Sequence, residues 1–404
     1  MTAVYLIFTV LSLFNSMLPA GVFSMIWEQI SSNMTVGVPY IAIIRVLIAS
    51  GIILAVVLSD RIRAYVMIRD IVIGSTALEA LALLGFSLSR VFWNLCLWAF
   101  CLGLGMGLGV SLLCRMLRRA GNRFAEIVFA GGACGIMAGV WILDQVFRRG
   151  GNWRTSCQIL AVTQVLLCLI QFSLRRRRLR DSEETVHRLQ RERNRRRSDR
   201  RQEMIRRDGA VDERSAPHYY LRLLCCYLAC ILCSILILGA VLWPEAYLVS
   251  SAGTAISSFK AVMLVAGGLA AGRILSAMLP WPARIKCILS GILSVAVTAA
   301  AALLMHAGRS VLLMEAFQFA VGFAAGPLFP NMDLLEDERL DEDAQDSLFG
   351  MLSAFYFGGW AVITPLTQAL VGSSQERYFA WWMLLAAVLM MICTAGGAKR
   401  FRRE

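Results

Sequence analysis

Uninterrupted apolar runs of about twenty residues recur along the whole chain, and they constrain its fold more than any other feature of the sequence. A run of this length, wound as a helix, crosses roughly 30 Å of hydrocarbon. Because lipid cannot hydrogen-bond to a peptide backbone, only helices and closed barrels span it. The runs lack the two-residue alternation that a barrel strand requires. The sequence therefore predicts an all-α polytopic membrane protein.

The composition agrees with this prediction. Of the 404 residues, 58% are hydrophobic and 17% are charged, and the mean hydropathy is +0.64. A soluble globular protein has roughly 45–50% apolar and about 25% charged residues. Apolar surface in such excess needs lipid to cover it, so a soluble domain is excluded.

Twelve runs are long enough to be transmembrane helices. The predicted spans are residues 5–27, 38–58, 66–88, 91–114, 124–146, 155–174, 219–243, 260–279, 286–307, 311–332, 347–371 and 378–397. A polar gap after the sixth span divides them into two groups of six. The predicted organisation is an N-terminal bundle at 1–174, a central loop at 175–218, a C-terminal bundle at 219–397 and a tail at 398–404.

The basic residues of the short loops predict the orientation. Loops rich in lysine and arginine stay in the cytoplasm. Such residues concentrate at 61–69, 115–123 and 399–403, on one side of the predicted membrane, whereas the opposite loops carry fewer. We therefore expect a multi-pass protein of the plasma membrane with cytoplasmic N- and C-termini.

The central loop is strongly basic, with 16 arginines and 9 acidic residues at 175–218. An arginine-rich arm can bind nucleic acid, but no aromatic residue interleaves here and the acids weaken the field. Contact with anionic lipid headgroups fits better, so lipids and not nucleic acid are the expected partners. A second loop, 333–346, carries eight acidic residues, and we consider that it docks on the basic loop.

Metal, cofactor and enzymatic chemistry are not expected. Most of the twelve cysteines fall in apolar runs, where cysteine acts as a small hydrophobe. The three histidines are scattered, and no ligand spacing typical of zinc occurs. The sequence also has no motif for a nucleophile or for phosphate binding, so primary transport driven by ATP is not predicted.

Several short motifs occur along the spans in a fixed order. They are Asp60-Arg61 after the second span, Gly103, Gly105, Gly107 and Gly109 in the fourth, Gly267 to Arg273 in the eighth, Gly322 to Pro330 in the tenth, and Phe357 to Trp360 with Pro365 in the eleventh. With six plus six spans around a basic loop, this order resembles the major facilitator superfamily (MFS). The resemblance implies two six-helix bundles, alternating access, and gating roles for Asp60, Arg61 and Arg273.

The chain also departs from the family pattern. Val56 stands where the second-loop motif has its leading glycine, and Ala99 or Cys101 stands where many proton-coupled members have an arginine in the fourth span. The fifth span lacks the proline of family exporters. It carries Gly131, Gly135 and Gly139 at four-residue spacing, which predicts one small-residue face for close helix packing. These departures argue against assuming the family's usual proton relay.

Ionisable residues inside spans are expensive and are therefore functional candidates. Arg45 and Glu79 lie about 10–14 Å below the exterior surface, at 1.5 Å of rise per helical residue. We consider two interpretations, a structural ion pair between them and a substrate-anchoring arginine with a titrating carboxylate. Asp144 and Glu315 are further candidates for coupling or ion pairing.

One face of the eleventh span mixes aromatic and hydrogen-bonding groups, because Tyr356, Trp360, Thr364 and Gln368 follow one another at four-residue spacing. Such a row suits a cavity for a polar organic solute, although helix packing or lipid contact would also account for the aromatic residues. The predicted substrate-binding set comprises Asn15, Arg45, Asn94, Gln164, Tyr356, Trp360, Thr364 and Gln368.

The functional expectation is a monomeric secondary transporter for a small organic solute, sugar-like or an organic anion. Proton or sodium is the expected coupling ion. Two alternatives share the fold, an efflux pump for drugs and other amphipathic compounds and a facilitator that translocates lipids.

Overall fold

The computed structural model describes residues 3–37, 40–63, 65–118, 122–178, 216–248, 258–307, 311–332, 351–357, 359 and 379–397, and this part of the chain is helical without strands. The helices with defined bounds are α1 (Ala3–Met17), α2 (Phe23–Met34), α3 (Ile41–Arg63), α4 (Ile68–Leu88), α5 (Phe92–Arg118), α6 (Asn122–Arg148), α7 (Trp153–Arg178), α8 (Ala216–Leu248), α9 (Ser258–Met278), α10 (Ala283–Ala307), α11 (Val311–Ala325), α12 (Leu328–Met332) and α13 (Phe379–Gly397). Residues 351–357 are also helical.

Ten helical segments of the described chain are long and apolar enough to cross a membrane. They correspond to the predicted spans two to ten and twelve. The charged third span, with Arg69, Asp70 and Glu79, is helix α4. The predicted eleventh span falls largely outside the described residues, as do the central loop beyond Arg178 and the acidic loop. We call the side where α1 begins and α3 ends the inner side, the one predicted to be cytoplasmic.

The first predicted span, residues 5–27, is not one uninterrupted helix. Helix α1 ends at Met17, and α2 begins at Phe23 and continues to Met34. Pro19 has no backbone N–H, and its ring clashes with a preceding helical turn. A tight turn follows, in which the Val22 N–H donates to the Pro19 carbonyl at 3.2 Å. The prediction of a continuous span was wrong here because hydropathy does not register a break inside an apolar run.

The tenth predicted span is broken in a similar way. Helix α11 ends at Ala325 and the short α12 begins at Leu328, with Gly326 and Pro327 between them. The Gly326 N–H still donates to the Gly322 carbonyl at 2.9 Å, but Pro327 cannot donate the next helical hydrogen bond. Both residues of the break belong to the Gly322 to Pro330 motif that the sequence shows in this span.

Helix α5 packs between α3 and α4 through two sets of glycines. Residues two apart on a helix point to nearly opposite sides, whereas residues four apart share a side. A Cβ on Gly103 would lie 2.1 Å from the Ile48 carbonyl of α3, and one on Gly105 would lie 2.7 Å from Glu79 Cγ of α4. The alternate glycines therefore let two neighbouring helices approach α5 from opposite sides.

The glycines of α6 form the small-residue face that the sequence predicted. A Cβ on Gly135 would lie 2.2 Å from the Phe14 carbonyl, and one on Gly139 would lie 2.0 Å from the Leu18 carbonyl. Gly131 faces Val10 of the same helix, α1. Their spacing of four residues thus allows backbone contact between α1 and α6.

The two halves of the chain meet where α6 packs extensively on α9. Helix α9 packs equally closely on α11, because a Cβ on Gly268 or Gly272 would lie 2.1 or 2.2 Å from a carbonyl of that helix. Helix α9 therefore connects the N-terminal half, residues 3–178, to the broken tenth span.

Candidate functional site

A cleft that contains about 880 Å³ of empty space, open solvent included, lies between the two halves. Its walls come from the turn between α1 and α2, from α3, α5 and α6, and from α8, α9 and Phe357. The break in the first span contributes Pro19, Ala20 and Gly21 directly to the wall. A cavity built from both halves of the molecule is suited to a ligand that is passed between two sides.

Arg45 is the only charged side chain among the described residues that line this cavity, and the other lining residues are apolar. It extends from α3 and is only partly buried. A guanidinium carries five donors in a planar fork and binds carboxylate or phosphate in a bidentate manner. The cavity thus offers one anion-binding group in an apolar surrounding.

A buried polar cluster lies inside the N-terminal half, beside α5. The Gln164 side-chain amide of α7 donates to Glu79 Oε2 of α4 at 3.0 Å and to the Asn15 carbonyl of α1 at 3.2 Å. In return, the Asn15 amide donates to the Gln164 carbonyl at 3.3 Å. All three side chains are fully buried. The structure therefore brings together three candidates that are widely separated in sequence.

Glu79 does not face α3, the helix of Arg45. Helix α5 lies between α3 and α4, and the Glu79 carboxylate contacts α7. The structural ion pair considered between Arg45 and Glu79 is therefore not the arrangement observed. Arg45 at the cavity wall and the buried carboxylate of Glu79 are therefore separate features.

On the inner side, one carboxylate of the N-terminal half is bound entirely by the C-terminal half. Lys286 Nζ of α10 lies 3.2 Å from both oxygens of Glu126 on α6. Ser276 Oγ donates to Glu126 Oε1 at 2.6 Å, and Asn331 Nδ2 donates to it at 2.5 Å. All four side chains are buried. We call Glu126, Lys286, Ser276 and Asn331 the inner cluster.

Arg273 of α9 adds a second connection between the halves. Its Nη1 donates to the Phe129 carbonyl of α6 at 2.8 Å, and its Nε donates to the Gly326 carbonyl at 3.0 Å. The second bond reaches the carbonyl at the break between α11 and α12. The gating role implied for Arg273 stays a prediction, and the structure shows which backbone groups its guanidinium holds.

On the outer side, two predicted candidates are ion-paired. Lys260 of α9 pairs with Glu315 of α11, and Arg148 pairs with Asp144 at 2.7 Å one turn away on α6. The Phe147 and Phe259 rings pack edge to face at 5.8 Å between α6 and α9. These partners make ion pairing the observed state of Asp144 and Glu315.

Other predicted residues lie away from the cavity. Asn94 is exposed in the first turn of α5 and is not among the residues that line this cavity. Tyr356 is buried against Phe329, with ring centroids 4.4 Å apart, and its neighbour Phe357 lines the cavity instead. Asn15 and Gln164 are buried in the polar cluster and do not line the cavity.

Several predicted residues cannot be placed by their side chains. Trp360, Thr364 and Gln368 lie outside the described residues, and of Asp60 only the helical backbone at the end of α3 is described. Arg61 is exposed there. The gating roles implied for Asp60 and Arg61 stay predictions.

The partners within the inner cluster were not predicted from the sequence. The structure pairs Glu126 with Lys286, 160 residues further on. A lysine near the end of a span ordinarily extends to the membrane–water interface, so a buried ion pair was not expected at Lys286. A buried acid and a buried base at the inner ends of spans in opposite halves is the one signal that could have suggested the pair.

Comparison with known proteins decides the family. A family model described as Major Facilitator Superfamily matches residues 3–365. The chain belongs to the major facilitator superfamily. Its fold is accordingly the twelve-helix MFS fold, and it is a multi-pass membrane transporter and not an enzyme. No curated protein sequence matches this MFS chain significantly.

A solved MFS structure shows the same fold. It is the proton:xylose symporter XylE bound to 6-bromo-6-deoxy-D-glucose, with a TM-score of 0.73, and the alignment covers 96% of this chain and 94% of XylE. The sequences are only 12% identical. The similarity therefore establishes the architecture of this MFS protein and leaves its substrate to be inferred from its own cavity.

Proposed function

We propose that this MFS protein is a secondary active transporter for a small organic anion with an apolar body. The observation that carries the proposal is the composition of the cavity, in which Arg45 is the only charge among the described lining residues. A charged hydrogen bond is strengthened where water is excluded, and arginine pairs with carboxylate through two parallel bonds. The apolar walls would cover the rest of the solute.

A sugar-like substrate fits the described lining less well. Recognition of a polyol requires several hydrogen-bonding side chains, and a site built to bind hydroxyl groups depends on each of them. The described walls offer Arg45 and otherwise apolar residues. The symport of xylose stated for XylE is therefore not transferred to this chain.

The contacts between the halves support alternating access. Closure on the inner side depends on the inner cluster and on Arg273, which join α6 to α9, α10 and the broken tenth span. Polar contacts of this kind can separate into water, as happens when packed domains rock apart. In our proposal the observed state is closed on the inner side, and breaking these contacts opens the cavity inward.

The polar cluster of Asn15, Glu79 and Gln164 is the proposed coupling site. A carboxylate buried without a cation is expensive, and Glu79 has no ion pair within the described part of the chain. Binding of a proton or a sodium ion would remove that penalty. We also propose, from the sequence, that the protein is a monomer in the plasma membrane with both termini in the cytoplasm.

Transport by purified protein in proteoliposomes tests the substrate class. We expect uptake of amphipathic carboxylates, and much weaker uptake of their neutral amides or of sugars. Arg45→Ala should reduce uptake at least tenfold, and Arg45→Lys should retain part of it because the charge remains while the fork is lost. Arg90→Ala is the matched control, since Arg90 is exposed at the outer end of α4. Equal uptake by Arg45→Ala and the wild type would refute the proposal.

Efflux of amphipathic compounds is the second candidate, and the apolar cavity wall favours it. Expression in a host that lacks its own pumps should then lower susceptibility to such compounds. Lipid translocation is distinguished in the same proteoliposomes by the movement of a fluorescent phospholipid between leaflets.

A further inference from the structure

We propose that a sodium ion binds in the N-terminal half between Asn15, Ser16, Glu79 and Gln164. The inference deepens the proposed function, since it rests on the coupling site assigned there and names its ion.

Two buried side-chain oxygens in this cluster, Asn15 Oδ1 and Gln164 Oε1, have no hydrogen-bond partner among the described residues. Beside them, the Ser16 hydroxyl has only the Glu79 carboxylate as its partner. All four residues are completely buried. Buried polar groups are nearly always satisfied, and each exception requires an explanation. Two unpartnered amide oxygens beside a carboxylate and a hydroxyl group indicate a common ligand that accepts electron pairs from all of them.

The amide orientations in the cluster are fixed by their hydrogen bonds. Gln164 Nε2 donates to two acceptors, Glu79 Oε2 and the Asn15 carbonyl, and Asn15 Nδ2 donates to the Gln164 carbonyl. Exchanging nitrogen and oxygen in either amide would place two acceptors against each other. The unpartnered amide atoms are therefore oxygens, which a cation prefers.

Gly109 of α5 provides room beside these oxygens. A Cβ on Gly109 would lie 2.8 Å from Ser16 Oγ, 2.9 Å from Ser75 Oγ and 3.8 Å from Glu79 Oε1. Three side-chain oxygens from α1 and α4 thus approach one point that only a glycine leaves accessible. Ser75 Oγ already donates to the Val72 carbonyl at 2.7 Å, so its lone pairs remain available to a ligand.

The chemistry of the donors selects a hard monovalent cation. Carboxylate, amide and hydroxyl oxygens bind hard ions, whereas the cluster has no thiolate or imidazole for a transition metal. One carboxylate balances one positive charge, so a divalent ion would leave a net charge in a buried place. Sodium satisfies both conditions.

A proton would satisfy the cluster less completely. Protonation of Glu79 creates one hydroxyl donor, which can serve one acceptor. The amide oxygens of Asn15 and Gln164 cannot both be served by it. A sodium ion can contact several oxygens at once, and it also neutralises the carboxylate.

The position of the cluster connects it to the cavity wall. Asn15 and Ser16 occupy the last turn of α1, directly before the break whose residues Pro19 to Gly21 line the cavity. The Asn15 carbonyl also accepts the Leu18 N–H at 3.2 Å. An ion held by Asn15 and Ser16 would therefore order the chain at the substrate cavity, which is the requirement for coupling.

Equilibrium binding of ²²Na⁺ to the purified full-length protein in detergent, at constant ionic strength with choline chloride, tests the site. We expect saturable binding of one ion. Ser16→Ala should weaken binding at least tenfold, and Glu79→Gln should abolish it. Ser12→Ala is the matched control, because Ser12 is buried one turn earlier on α1 with its hydroxyl bonded to the Phe8 carbonyl at 2.7 Å. Gly109→Ala should also weaken binding, since its methyl group would occupy the space.

The possible results distinguish the sodium site from the proposed transport function. Absence of saturable ²²Na⁺ binding, or equal affinity in the wild type and Ser16→Ala, would overturn the sodium site even if Glu79→Gln failed to fold. Anion transport at an unchanged rate in choline under a proton gradient would also overturn it, while the proposed function would stand. Sodium binding without any anion transport would support the site and reject the proposed function.

Discussion

Lys286 Nζ lies 3.2 Å from both carboxylate oxygens of Glu126, although the two residues belong to opposite halves of the chain. Their side chains are 3% and 0% exposed, so the pair is shielded from water. Removing one member of such a pair is strongly destabilising, by about 3–5 kcal/mol, because the other charge stays buried and unpaired. In a carrier, that penalty falls on the state closed on the inner side.

Neutralising either residue should therefore favour the state open on the inner side. We expect Glu126→Gln and Lys286→Met each to increase the rate of maleimide modification of Cys287 by roughly a hundredfold, which corresponds to about 3 kcal/mol. Cys287 is a suitable reporter because it is adjacent to Lys286 and fully buried. Mass spectrometry of the modified peptide gives the rate.

The double variant and a surface pair supply the controls for this prediction. In the double variant Glu126→Gln/Lys286→Met, the free-energy change of opening should be smaller than the sum of the changes in the two single variants, since no charge is left unpaired. Arg148→Ala breaks an exposed pair with Asp144, which is worth about 0–1 kcal/mol, and should leave the labelling of Cys287 unchanged. Labelling rates that are identical in the wild type and both single variants would contradict a gating role.

Arg273 should not be replaceable by lysine. Two of its hydrogen bonds serve the Phe129 and Gly326 carbonyls in different directions, and an ammonium is a compact point charge without the guanidinium fork. A buried acceptor that loses its partner costs about 1–3 kcal/mol. We expect Arg273→Lys and Arg273→Ala both to lower Tm and to reduce transport. A lysine variant with the Tm and the transport rate of the wild type would show that only the charge matters.

The contact between α1 and α6 should not tolerate a methyl group. A Cβ on Gly139 would lie 2.0 Å from the Leu18 carbonyl, so Gly139→Ala must push the helices apart, and overpacking typically costs about 1–3 kcal/mol. Gly74 on α4 is the matched control, because nothing lies within 4 Å of a Cβ placed there. We expect a lower Tm in Gly139→Ala and an unchanged or higher Tm in Gly74→Ala, since alanine is the better helix former. The reverse order would contradict the close packing.

Much of the fold could be predicted because lipid imposes simple length and composition rules. The apolar runs predicted the ten membrane-spanning helices that the structure describes. The four-residue spacing of Gly131, Gly135 and Gly139 predicted a packing face. The breaks are less visible to hydropathy. Helix α1 ends before Pro19, although apolar residues continue on both sides of this proline.

The sequence predicted which residues belong to the candidate site, but not how they are grouped. Asn15, Arg45, Glu79 and Gln164 were selected as polar residues in apolar spans, where polar groups are expensive. Their grouping was not predictable, because it depends on which helix faces which. Asn15, Glu79 and Gln164 form one cluster, whereas Arg45 lies apart in the cavity wall.

Local runs of apolar residues and short motifs are sufficient to identify the chain as an all-helical membrane protein of the MFS type. Three features became known from the folded chain alone: Glu126 pairs with Lys286, Arg273 holds the broken tenth span, and Arg45 faces an apolar cavity. The physical reason is that helix packing sets distances between residues up to 205 positions apart, and no local pattern encodes those distances.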